Sequence, residues 1–183
     1  MPLSYIDVSL KRDFWKELSA QISGKFKINL IKSNSHESLF LNFTYEGIDI
    51  EFSENDTQPL KVKFSSSAKR KCNISISGED FIEKIVKFFG GNKEIQVGNP
   101  EFDNLYLVQG DDDVMLRRFV SKEIQTMMLA LKVYSLNCKM DEKADRFEFS
   151  CTVSRQVSSL ERLQTVYKLT CLIVDNLKDL AVL

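Results

Sequence analysis

Between Leu10 and Ile22 the apolar residues recur at intervals of three and four. Leu10, Phe14, Trp15, Leu18 and Ile22 fall on one face, and the spacing predicts a helix over 7–22 that stops at Gly24. The period then changes to two. Phe26, Ile28 and Leu30 alternate with polar residues, as do Leu39, Leu41, Phe43 and Tyr45, with Phe40 on the other face. Ile48, Ile50 and Phe52 follow the dipeptide Glu46-Gly47. A two-residue turn there sets Tyr45 opposite Ile48, Phe43 opposite Ile50 and Leu41 opposite Phe52, so all six side chains share one face and register agrees with pattern. Leu60, Val62 and Phe64 predict a fourth strand. Cys72, Ile74 and Ile76 predict a fifth, joined through Ser65–Lys71.

Ser77-Gly-Glu-Asp80 resembles a capping box with Asp in the last place, ahead of an apolar helix carrying Phe81, Ile82, Ile85, Val86, Phe88 and Phe89 and closed by Gly90-Gly91. Ile95 and Val97 predict a short strand, Gly98-Asn99-Pro100 a turn, and Leu105–Val108 an extended segment. Two helices are expected over 111–120 and 121–131. A second hairpin is expected from Val133–Met140 and Arg146–Val153, with Phe147, Phe149, Cys151 and Val153 on one face. The last helix begins at Ser158, capped with Glu161, and runs to about Leu180, on the order of 33 Å. Leu160, Leu163, Val166, Tyr167, Thr170, Cys171, Val174, Leu177 and Ala181 give it a wide apolar stripe.

These elements predict one α+β domain over 1–183: an antiparallel sheet of about six to eight strands, helices mainly on one face, and a long C-terminal helix lying across it. Cys72–Phe89 and Arg146–Val174 each place strand pattern before a serine-capped apolar helix, the mark a degenerate duplication would leave. The chain has 183 residues, 43% apolar and 28% charged, which is a globular composition. With 25 Lys+Arg against 26 Asp+Glu the net charge is -1, so no general polycation for nucleic acid is present. The N-terminal stretch shows no secretory pattern and no run reaches membrane-spanning length, which implies a cytoplasmic protein.

Chemistry-bearing residues are sparse. Cys72, Cys138, Cys151 and Cys171 form no C-x-x-C pair and are expected as small core residues of a reducing compartment. His36 lies in a polar loop, and no nucleophile elbow or phosphate-binding glycine loop exists. The acids Asp111, Asp112 and Asp113, with Asp103 upstream, offer carboxylates to a cation. Consecutive acids ahead of Val114-Met115-Leu116 equally suit a helix N-terminus. Lys69, Arg70 and Lys71 offer three charges to phosphate, without interleaved aromatics. Neither set is assigned as a metal or nucleic-acid site, and no cofactor is expected.

The stretch Gly98-Asn-Pro-Glu-Phe102-Asp103-Asn-Leu-Tyr106-Leu-Val108 resembles a G-[DN]-x-x-F-D-x-x-[FY]-x-V signature of uncharacterised bacterial α+β domains, some of them attached to membrane segments. The likeness spans about 98–160. It implies a bacterial origin, places a leucine-bearing helix around Met127, Met128 and Leu131, and implies no activity. Physically, Phe102 is expected to anchor a strand entry in the core, and Asp103 to accept backbone N–H groups in the turn after Pro100.

With no nucleophile–base pair, metal set or cofactor loop, the first reading is a non-enzymatic interaction or structural domain. Its patch would lie on an exposed sheet face or the long helix, for a protein partner or self-association. The second is a small-molecule or lipid carrier with an apolar pocket between sheet and C-terminal helix. The third is an enzyme using Asp103 and Asp111–Asp113 alone.

Overall fold

The alternating apolar positions form eight strands of a single antiparallel sheet. The structure, a computed structural model, describes residues 8–31, 36–78, 94–141, 145–153 and 156–183. In chain order the elements are α1 (Val8–Gln21), β1 (Lys25–Ile31), β2 (His36–Tyr45), β3 (Ile48–Asn55), β4 (Lys61–Ser67), β5 (Ile74–Gly78), α2 (Pro100–Leu105), β6 (Tyr106–Gly110), α3 (Asp113–Phe119), α4 (Lys122–Leu131), β7 (Val133–Asp141), β8 (Arg146–Val153) and α5 (Leu160–Asp179). The strand order is β1-β2-β3-β4-β8-β7-β5-β6. The helix expected over Phe81–Phe89, one half of the duplication pattern, lies outside the described residues.

The turn-set register of β2 and β3 is observed as expected, with Tyr45 opposite Ile48, Phe43 opposite Ile50 and Leu41 opposite Phe52. Glu46 and Gly47 have φ of 51° and 80°, the paired positive values of the hairpin turn that follows strand twist. Apolar partners continue in rows across the sheet. One row runs Ile50, Phe64, Phe149, Cys138, Ile74, and the next Phe52, Val62, Cys151, Leu136, Ile76, Val108. All are buried, and Phe64 stacks on Phe149 at 4.5 Å between ring centres.

The five helices described gather on that apolar face. α5 buries Leu163, Val166, Leu169, Ile173, Val174 and Leu177 along its length. α1 packs beside it and buries Trp15 and Leu18. Two ion pairs fasten α1 to the sheet: Lys11 Nζ lies 2.9 Å from Glu54 Oε1, and the Arg12 guanidinium grips both oxygens of Glu37. α4 and α3 flank α5 on the other side. Past α5, Val182 is fully buried, and its carbonyl accepts a 2.9 Å bond from the Lys69 amide.

Four local expectations are corrected. The cap of α5 is Ser159, whose hydroxyl accepts from the Arg162 amide; the helix therefore starts one residue later than Ser158 predicts. The turn at Gly98-Asn99-Pro100 leads directly into the short helix α2, with Asn99 as its cap and Pro100 at the first helical position, where proline is pre-organised. Cys72 precedes β5 rather than lying in it. The segment around Ile95 contributes one backbone bond, from its amide to the Val108 carbonyl, without forming a strand.

Candidate binding groove on the open sheet face

Three of the four carboxylates singled out in the sequence, Asp103, Asp111 and Asp112, are committed to donors of the fold. Asp103 accepts from the Val97 amide at 2.8 Å and the Gly98 amide at 2.9 Å, closing the turn ahead of α2 rather than one after Pro100, because residues 100–105 are helical. Asp111 accepts from the Asn73 backbone and side-chain amides. Asp112 caps α3 by accepting from the Met115 amide, and binds Arg70 at 2.7 Å. Asp113 is exposed in the first turn of α3. Among the described residues no group of three or more His, Cys, Asp or Glu side chains is placed to hold a metal ion.

The basic residues are equally occupied. Lys69 Nζ donates to the Leu183 carbonyl at 2.9 Å, Arg70 pairs with Asp112, and Lys71 also has a partner. Lys69–Arg70 and Asn73 thus clamp the β4–β5 connection to the end of α5 and to the β6–α3 loop. Gly110 permits the close approach, since a Cβ there would stand 2.9 Å from the Asn73 carbonyl oxygen.

Replacing Asp103 with alanine strands two backbone donors. It is expected to cost about 1–3 kcal/mol and to lower Tm measurably in a thermal melt. An unchanged Tm would instead give the carboxylate a role outside the fold.

The cysteines show core chemistry. Cys72, Cys138 and Cys151 are buried, Cys171 is half-buried, and all four thiols are free. Burial pushes the Cys151 thiol up to about 12, and Cys138 is also raised well above its ordinary value, first by burial and then by the neighbouring Cys72. Such thiols are poor nucleophiles.

A cavity lies on the other face of the sheet. It encloses about 1000 Å³ and is lined by residues of β2, β3, β4, β5, β7 and β8. Ile50, Phe64, Cys138 and Phe149 border it, but each is almost wholly buried toward the helices. The accessible lining comes from the outward half of each strand's alternation. One row of cross-strand partners shows its character: Asn42, Glu51, Lys63, Ser150, Asn137 and Ser75 follow one another across six strands, all polar. Ser75 donates to Asn137 at 3.0 Å within the row.

The charges here differ from those in the loops. The side chains of Glu51, Lys63 and Glu148 line the groove and make no hydrogen bond or ion pair with the described residues. Overall the lining balances Asp49, Glu51 and Glu148 against Lys63, Lys139 and Arg146. Among the described residues no helix packs on this face. The space between sheet and α5, by contrast, is filled: Leu163, Val166, Leu169, Ile173, Val174 and Leu177 are at most 1% exposed.

Sequence reasoning named an exposed sheet face as one place for a patch but not the residues that line this groove, because it sought rare residue types. Its signal is the polar half of the strand alternation, visible in Asn42, Glu51, Lys63 and Ser150 once strand order is known. The order itself, with β8 beside β4 and β5 beside β7, is set by long-range pairing that no local spacing encodes.

No family model and no curated protein matches the chain. The fold is similar to a solved structure, the crystal structure of the mycobacterial trehalose monomycolate transport factor A, TtfA. The TM-score is 0.57 at 9% sequence identity, and the match covers 97% of this chain and 99% of that one. The likeness is one of architecture. No helix among the described residues is long and apolar enough to cross a membrane.

Proposed function

We propose that the protein is a non-enzymatic interaction domain that holds its partner in the groove on the open sheet face. The observation that carries this reading is the contrast in side-chain commitment. Asp103, Asp111 and Asp112 are consumed by the fold, whereas the side chains of Glu51, Lys63 and Glu148 stand unpaired among the described residues in a cavity of about 1000 Å³, large enough for a specific ligand. A fold neighbour named as a transport factor is consistent with an accessory role. The carrier reading draws on that same neighbour. Its apolar pocket between sheet and α5 has less support, since those side chains fill the space, and a carried molecule would meet this protein through polar groups instead.

A photo-reactive amino acid placed at Ser150 or Asn137, with a control at Lys168 on the exposed side of α5, tests the reading in the producing cell. Adducts from the groove positions and none from Lys168 are the expected result. Adducts from Lys168 alone would move the interface to the helix. Absence of adducts at all three positions would overturn the reading.

A further inference from the structure

We infer that the groove's occupant is an extended polypeptide segment carrying both acidic and basic side chains, laid across the strands. The inference rests on the reading of the groove as the binding site and names the chemistry that fits it.

The charges do not merely balance; they alternate in space. Glu51 on β3 lies directly opposite Lys63 on β4. Lys63 is opposite Ser150 on β8, which makes Glu148 its diagonal neighbour, and Glu148 is opposite Lys139 on β7. Acid, base, acid, base therefore follow one another across four adjacent strands. A polyanion such as a nucleic-acid backbone would meet two repulsive carboxylates in this ladder, and a polycation two ammonium groups. A chain with alternating signs meets a complement at Glu51, Lys63 and Glu148, while Lys139, which already has a partner, extends the alternation without counting as a free charge.

Beside the ladder, Asn42, Ser150, Asn137 and Ser75 supply amides and hydroxyls of the kind that pair with a peptide backbone. The row from Asn42 to Ser75 spans on the order of 24 Å at the usual strand separation, which an extended chain covers in about seven residues. This row itself carries no aromatic ring on which a sugar or base could stack.

The test uses the full chain and a displayed library of random linear peptides of about 7–12 residues, long enough to span the groove. Selected peptides are expected to carry both signs and to perturb the backbone NMR signals of Ser150 and Asn137. They are also expected to lose about tenfold or more in affinity for the doubly swapped variant Glu51→Lys/Lys63→Glu. That variant keeps the net charge and reverses only the order of signs; its unchanged melting temperature confirms folding. Peptides that bind the swapped variant equally well, or that shift signals elsewhere, overturn the inference. If no peptide is selected but a soluble maltooligosaccharide shifts the same groove signals, the polypeptide inference fails while the groove remains the binding site. If neither probe moves the groove signals and the in-cell adducts are also absent, both fail together.

Discussion

Replacing Lys11 with methionine will destabilise the protein by about 3–5 kcal/mol at neutral pH, measured by urea unfolding. Lys11 is 7% exposed and Glu54 2%, with 2.9 Å between their charged atoms. The Glu54 Oε1 atom also accepts from the Val157 amide at 2.9 Å, while Oε2 is buried with no partner among the described residues. Methionine matches the lysine stem but leaves the carboxylate alone beneath α1. The cost is that of an uncompensated buried charge rather than the net worth of the pair. The double variant Lys11→Met/Glu54→Leu is therefore expected to recover most of the loss. It does not recover all of it, because the Val157 amide then lacks its acceptor. A double variant as unstable as the single one would refute this account.

The same carboxyl makes stability depend on pH in an unusual direction. Burial holds Glu54 above its ordinary value of 4.5, opposed by the charge and hydrogen bond of Lys11 and by the Val157 amide. In the window just above 4.5 the folded protein thus retains a proton that the unfolded chain has released. The contribution of Glu54 is fully present below that value and is lost as pH rises through its folded one. Subtracting the stability curve of Glu54→Gln from that of the parent isolates it. The difference falls with rising pH there, opposite to the trend a salt-bridged surface carboxylate gives.

The sequence carried the local architecture well. Alternation at Leu41, Phe43 and Tyr45 and the turn at Glu46-Gly47 fix the β2–β3 register. The threefold and fourfold spacing along Leu163–Leu177 identifies the face that α5 buries. Asp112 at the cap of α3 and Asp103 on backbone amides are likewise readable, because capping and turn closure act over three to six residues. The ion pair between Lys11 and Glu54 was not readable. Glu54 occupies an inward position two residues beyond Phe52, where alternation predicts an apolar side chain, and its partner is 43 residues away on another element. The groove was hidden for a related reason. Its charges are ordinary in type, and only the pairing of β4 with β8 and of β8 with β7 sets Lys63, Glu148 and Lys139 in a ladder.

Phe102→Ala is the second substitution with a large expected effect, a loss of about 3–5 kcal/mol. At this chain length that corresponds to a fall in Tm of roughly 10 °C. The ring is fully buried and stacks on Tyr106 with 4.6 Å between centres; the Tyr106 hydroxyl in turn donates to the Met128 carbonyl at 3.1 Å. One side chain therefore ties α2 to the edge strand β6 and, through Tyr106, to α4. Leucine at the same position keeps much of the volume and is expected to cost about 1–2 kcal/mol. Asp103 acts on the same turn from outside the core, through the Val97 and Gly98 amides. If residues 97–106 behave as one unit, the double variant Phe102→Ala/Asp103→Ala loses less than the sum of the single losses, since a turn already released by one change has less left to lose from the other. Strict additivity would show two independent anchors. Either way the groove lies on the opposite face of the sheet, so Phe102→Leu is expected to leave its binding properties unchanged while the protein remains folded.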